Sequence, residues 1–226
     1  MGRVVRLPPD PFFVLETVVP YRLVIFDFDG TLADSFPWFI ATINEVAAAH
    51  RFRRIEAADV DLLRRMGARQ IVKHLGVAWW RMPLIARDLR RRKARDIASI
   101  GLFPGIGAML RALSEKGVAL AVVSSNAEAN IRNILGPENA ALIAHYECSV
   151  SMFGKPARFR KVLKRSGVAP REALCIGDEI RDWEAAHAAG IPFGAVLWGY
   201  TVPEAMTALR PAEVFGRVEE IVERVG

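Results

Sequence analysis

The sequence predicts an α/β fold, a doubly wound parallel sheet with a small α-helical cap inserted after the first strand. Three observations lead there. From Tyr21 onward, short apolar runs alternate with amphipathic segments, the pattern of parallel βαβ units. Most of the amphipathic segments are followed by a glycine, Gly117, Gly136, Gly167 or Gly190, as helix C-termini often are. One interval, residues 36–99, holds helical patterns and no convincing strand. A chain of 226 residues can build one sizeable core, or one core and a small appended domain.

Residues 1–20 carry Pro8, Pro9, Pro11 and Pro20 among apolar residues and read as an N-terminal arm or edge strand. Strands are expected at 23–26, 119–123, 173–176 and 194–197, with a weaker one at 146–150. Helices are expected at 106–116, 127–135, 157–166 and 183–189. The core then comprises 21–35 and 100–226, and the cap 36–99. Such an insertion would stand over the carboxyl end of the first strand, where open α/β sheets place their ligands. Its return is marked by Gly101-Leu102-Phe103-Pro104-Gly105, a turn-rich segment able to act as a hinge.

Composition narrows the classes. The chain is 52% hydrophobic and 25% charged, with no run near the roughly eighteen apolar residues of a membrane span and no secretory signal at its start. A cytoplasmic protein without a membrane partner is expected, as monomer or homodimer. Cys148 and Cys175 form no CxxC or zinc-spaced cluster, and Cys175 lies in an apolar strand as a small core residue. The net charge of +6 is concentrated in Arg81, Arg87, Arg90, Arg91, Arg92, Lys93 and Arg95. On a helix these wrap most of the circumference without interleaved aromatics, which reads first as a solvated helix; a phosphate-attracting rim and weak nonspecific nucleic-acid binding are the alternatives, and no specific nucleic-acid surface is expected.

The chemistry starts at Val24-Ile25-Phe26-Asp27-Phe28-Asp29-Gly30-Thr31-Leu32, where an apolar strand runs into a Gly-Thr turn. Strand alternation turns Asp27 and Asp29 toward one site and Phe28 into packing. Two such charges repel by roughly 1 to 4 kcal/mol at effective dielectrics of about 80 to 20, so the pair favours a bound divalent cation or one raised pKa. Hard oxygen ligands suit Mg2+. Further strand ends bring Ser124-Ser125-Asn126, Gly154-Lys155-Pro156 and Gly177-Asp178-Glu179-Ile180-Arg181-Asp182 to the same edge.

In this order, over about residues 21–200, these segments resemble the four motifs of the haloacid dehalogenase-like hydrolases, a superfamily with a Rossmann-like core dominated by magnesium-dependent phosphatases. The resemblance implies a phosphoric monoester hydrolase acting on a small phosphorylated metabolite through an aspartyl-phosphate. Asp27 would be the nucleophile, and Asp29 the general acid and base, its main-chain carbonyl also meeting the metal. Ser124, or Ser125 one residue on, would donate to a phosphate oxygen beside Phe28, and Lys155 would neutralise the phosphoryl group and hold Asp27 ionised. Mg2+ would be held by Asp27, Asp29 and Asp178, with Asp182 bound directly or supporting the site. Asp34 and Ser35 are expected only to cap the first cap helix, and Glu179 and Arg181 to form a solvated pair.

Asp29 argues against dehalogenation, whose halide leaving group needs no proton. Phe28 and the chain length exclude P-type ATPases. The cap and Val196-Leu197-Trp198-Gly199-Tyr200 are similar to the phosphoglycolate phosphatase branch, although Trp198 and Tyr200 could equally be an aromatic turn packed on the body. A phosphomutase of the β-phosphoglucomutase type and a catalytically silent phosphate-binding scaffold remain open. In the cap, His50, His74, Trp79 and Trp80 are candidate specificity residues, His74 more as a structural one.

Overall fold

The structure, a computed structural model, describes residues 21–151 and 154–225; the expected N-terminal arm lies outside the described residues. Strands β1 (Leu23–Phe26), β2 (Ala119–Val123), β3 (His145–Glu147), β4 (Ala173–Gly177), β5 (Phe193–Val196) and β6 (Glu213–Phe215) form one sheet in the order β3-β2-β1-β4-β5-β6. Every pairing is parallel. A parallel sheet is covered on both faces, so its strands are apolar throughout, and the side chains alternate between two cores. Val24, Phe26, Leu120, Val122, Leu174 and Ile176 belong to one core cluster. Leu23, Ile25, Ala121, Val123, Ala173 and Cys175 belong to the other. The core reading of Cys175 holds, and burial pushes its thiol well above the usual range.

After β1 the chain runs through α1 (Phe36–His50), α2 (Val60–Leu63), α3 (Ala68–His74) and α4 (Met82–Arg95), and no strand is described in 36–99. This segment has its own small cluster of Ile43, Ile55, Leu63 and Leu75. The chain leaves and re-enters the body side by side. Asp34 N–H donates to Gly101 O at 2.9 Å and Phe103 N–H to Leu32 O at 3.0 Å, around an antiparallel bridge between Ala33 and Leu102.

The remaining helices are α5 (Ile106–Glu115), α6 (Glu128–Leu142), α7 (Lys155–Ser166), α8 (Ile180–Ala189), α9 (Pro203–Thr207) and α10 (Glu219–Val225). Several expectations shift. The helices expected from 157 and 183 begin at Lys155 and Ile180, and the strand expected at 194–197 is Phe193–Val196. The helix expected to stop at Leu135 breaks at Gly136-Pro137 and resumes to Leu142. The weak strand expected at 146–150 is His145–Glu147, because the backbone turns at Ser149 (φ 54°). There Ser149 and Val150 bond instead to the loop after β2, through Asn126 O at 2.7 Å and Ser124 O at 3.1 Å. The sixth strand was not expected: three residues on a sheet edge carry too little pattern to register.

In the order β3-β2-β1-β4-β5-β6 the winding reverses between β1 and β4. A crevice therefore opens outside their carboxyl ends.

Candidate active site

Asp27 follows β1 directly, and its N–H donates to Ile176 O of β4 at 2.9 Å. Asp178 follows β4 directly, so the two carboxylates meet at the reversal of the sheet. The first turn of α8 adds Asp182. Ligand oxygens of Asp27, Asp178 and Asp182 all lie within 4.8 Å of one another. The three residues are 4%, 0% and 0% exposed, so water does little to relieve their repulsion.

Lys155, the first residue of α7 and itself buried, brings the compensating charge. Its Nζ lies 2.8 Å from Asp27 Oδ1 and donates to Asp182 Oδ1. Burial alone would weaken the ammonium, but Asp182 and Asp27 outweigh it and raise the Lys155 pKa. One ammonium does not balance three carboxylates. Burial, then the charges of Glu179, Asp27 and Asp182, push the Asp178 carboxyl well above the ordinary carboxylate range. Burial likewise raises Asp182 to about 6 against the pull of Lys155.

The cradle around Asp178 is tight. Thr31 Oγ1 donates to its Oδ1 at 2.7 Å and Tyr200 N–H to its Oδ2 at 2.8 Å. A Cβ on Gly30 would stand 2.2 Å from Asp178 Oδ2, and one on Gly199 would stand 2.1 Å from Asp178 Cβ. These glycines are there because a side chain would occupy the space of the carboxylate. Trp198 Nε1 donates to Thr31 O at 3.1 Å, and Tyr200 packs on Phe36 and Phe39. Trp198 packs on the body beside Phe103, as an aromatic turn would, whereas the Tyr200 ring packs on α1 and its N–H also holds Asp178.

Oxygen donors at this spacing fit a hard divalent cation. The fit is strengthened by Asp27 Oδ2, which is buried without a hydrogen-bond partner. Such an atom costs roughly 1 to 3 kcal/mol unless something binds it.

Asp29 is turned differently. Its Oδ1 accepts from Lys93 Nζ at 2.5 Å and from Ser35 Oγ at 2.8 Å, and Ser35 Oγ lies 3.0 Å from Tyr200 Oη. Ser35 sits at the start of α1 but makes no side-chain cap, contrary to expectation; the nearby carboxylate competes for its hydroxyl. Lys93 is 7% exposed and lies 4.8 Å over the Trp38 ring, so it is not part of a solvated helix. The solvated reading of α4 does hold for Arg87 and Arg91, which are exposed, while Arg90 Nη1 donates to Ser125 O at 3.3 Å. Glu179 and Arg181 do pair, but half-buried beside the cluster instead of solvated.

Ser124 directly follows β2, the neighbour of β1, and is 1% exposed. Its N–H donates to Glu147 O at 3.1 Å, and its Oγ accepts the Asn126 N–H at 3.2 Å. Ser125 is half-buried beside it. The Phe28 side chain is fully buried in the core, which leaves its main chain for any phosphate contact. His50 pairs with Asp88 at 3.0 Å. Trp79 and Trp80 are 77% and 65% exposed, so they do not fill the space between helices.

Sequence reasoning overlooked Thr31, Ser35, Arg64, Lys93 and the main chain of Tyr200. Arg64, on the segment between β1 and α5, donates to Tyr200 O at 2.8 Å and Gly199 O at 3.1 Å. Thr31 alone carried a signal, its place directly after the Asp-rich turn.

Comparison with known proteins agrees with this geometry. The family model of the haloacid dehalogenase-like hydrolases matches residues 24–196. A phosphoglycolate phosphatase of Synechococcus elongatus is 29% identical over 205 residues, covering 90% of this chain and 97% of its own. One from Xanthomonas campestris pv. campestris is 33% identical over 191 residues, covering 79% and 84%. The crystal structure of a Lactobacillus plantarum protein, provisionally a phosphoglycolate phosphatase, superposes with a TM-score of 0.77 at 26% identity, covering 91% of this chain and 99% of that one. The chain therefore belongs to the haloacid dehalogenase-like hydrolases, on their phosphoglycolate phosphatase-like branch, and is a hydrolase of the phosphatase kind.

Proposed function

We propose that the protein is a Mg2+-dependent phosphatase that hydrolyses a small phosphomonoester, of the phosphoglycolate or sugar phosphate type, through an aspartyl-phosphate on Asp27. The observation that carries this reading is the free Oδ2 of Asp27, buried in a carboxylate cluster whose other oxygens already accept hydrogen bonds or meet Lys155. Residues 36–99 act as the cap over the site, and 21–35 with 100–226 as the core. The chemistry asks mainly for positioning and charge stabilisation.

Lys155 fixes Asp27 Oδ1, which leaves Oδ2 to attack phosphorus as the P–O bond to the leaving group breaks. Asp29 gives its proton to the departing alkoxide. It then takes a proton from the water that attacks phosphorus as the bond to Asp27 breaks, which releases phosphate, frees the Asp27 carboxylate and returns Asp29 to its acid form. Ser35 and Lys93 hold the Asp29 carboxyl in place. Ser124 and the amides of Ser125 and Phe28 donate to the phosphoryl oxygens, as in other sites that stabilise developing charge. Asp27, Asp178 and the Asp29 carbonyl, supported by Asp182, would hold a Mg2+, whose charge balances the cluster and the phosphate. No helix among the described residues is long and apolar enough to cross a membrane.

The test is hydrolysis of p-nitrophenyl phosphate and a panel of metabolite phosphates, with Mg2+ and with EDTA. Wild type is expected to need the metal, and Asp27→Asn to lose activity by roughly four or more orders of magnitude. Inactivity of wild type with every metal and ester would leave a phosphate-binding protein instead.

A further inference from the structure

We infer that Lys93 is a specificity residue of this site, and that it selects phosphate esters whose leaving group carries a carboxylate close to the ester oxygen. The inference rests on the phosphatase reading above. Lys93 lies in the last turn of α4, and that turn carries its own outward cations. Arg92 is paired with Asp88 at 3.2 Å and Glu45 at 2.6 Å, Arg95 with Asp96 at 2.7 Å, and Arg91 is exposed. Lys93 alone among these is turned inward and buried, against the Trp38 ring and the Asp29 carboxylate that Ser35 also holds.

Burying an ammonium is costly, and the local chemistry does not require it for phosphate. The phosphoryl side already has Lys155, bonded to Asp27 and Asp182. Lys93 instead meets the residue that hands a proton to the leaving oxygen. A leaving oxygen within hydrogen-bond reach of Asp29 places its own substituent beside Asp29, and therefore beside an ammonium 2.5 Å from that carboxylate. In a two-carbon ester the carboxylate carbon is two bonds from the ester oxygen, so its oxygens fall in the same neighbourhood. The ammonium has three donors and can hold Asp29 and a substrate carboxylate together. The Trp38 ring limits its other directions and favours small substituents.

The experiment compares 2-phosphoglycolate with ethyl phosphate, which has the same two carbons and no carboxylate, in wild type, Lys93→Met and Lys93→Arg. The quantity read is the ratio of kcat/KM for the two esters. Wild type is expected to favour the carboxylate, and Lys93→Met to lower the ratio by roughly 10- to 150-fold, the worth of one charge-assisted hydrogen bond, mostly through KM. Lys93→Arg, which keeps the charge, should retain most of the ratio. A wild-type ratio near one overturns the inference without any variant, and so does a Lys93→Met ratio within about threefold of wild type, because a residue that only oriented Asp29 would slow both esters alike. Hydrolysis of neither ester by a wild type that does hydrolyse p-nitrophenyl phosphate overturns this inference and leaves the phosphatase reading standing, whereas inactivity on all three removes both.

Discussion

Gly199→Ala offers a direct test of how the aromatic turn supports the carboxylate cluster and the Mg2+ proposed for it. The added methyl would stand 2.1 Å from Asp178 Cβ and 2.5 Å from its Oδ2, closer than real Cβ atoms approach. The atom it meets first is the root of a fully buried side chain, so no flexible end can swing aside. Either Asp178 or the Trp198–Tyr200 turn must move. The turn is held by Arg64 on two carbonyls and by the Trp198 bond to Thr31, while Asp178 is held by Thr31 and the Tyr200 N–H. Forcing a methylene-sized group into such packing costs about 1 to 3 kcal/mol. For a chain of this size that is a fall in Tm of roughly 2 to 12 °C. Displacing the carboxylate should raise the Mg2+ concentration for half-maximal hydrolysis by about 10- to 100-fold, the usual consequence of disturbing a ligand's support. Thermal unfolding and a Mg2+ titration of kcat/KM measure the two effects. A Gly199→Ala protein with wild-type Tm and wild-type Mg2+ demand would refute the cradle as described.

The cluster also makes a prediction about pH. The folded Asp182 carboxyl is raised from 3.8 to about 6, so protonation favours the metal-free fold below about 4, and that contribution, worth about 3 kcal/mol, is lost as pH rises through about 6. The gain in Tm on replacing EDTA with Mg2+ should therefore grow as pH rises from 4 through 6, and further as the raised Asp178 carboxyl ionises, and a gain independent of pH would count against the cluster as the metal site. At the other edge of the sheet, Glu147 is 4% exposed and meets Lys161 at 2.7 Å, Arg158 at 3.1 Å and Arg165 at 3.2 Å, all from α7. Burial opposes its ionisation, but Lys161 and Arg158 outweigh it and lower its pKa. Glu147→Gln should cost roughly 1.5 to 3 kcal/mol at neutral pH by urea unfolding, with the difference shrinking as pH falls through the depressed pKa of the wild-type carboxylate.

Residue order was enough to specify the sheet and the acidic cluster. Strand alternation and parallel burial write both into short apolar runs, and each of Asp27, Ser124 and Asp178 sits at a strand end where its position in the chain already puts it on the carboxyl edge. Lys155 and Asp182 were legible for a related reason, since each stands just before an expected helix at that edge, and the structure draws both into the first turns of those helices. The strand order was set by tertiary pairing, as was β6, whose three residues are held by a neighbour and not by their own pattern.

The surroundings of Asp29 were also beyond the sequence. Ser35 reads locally as a helix cap and Lys93 as one more charge on a basic helix, because hydrogen bonding and charge along a segment say nothing about what crosses above it. Sixty-four residues separate Lys93 from Asp29, and only the packing of α4 over the sheet edge turns that ammonium inward. Arg64 and the Gly199–Tyr200 carbonyls meet across 135 and 136 residues by the same kind of contact. Local periodicity carries short-range geometry. Which helix face meets which strand end is a property of the assembled layers, settled by burying apolar surface and pairing the charges left beneath it.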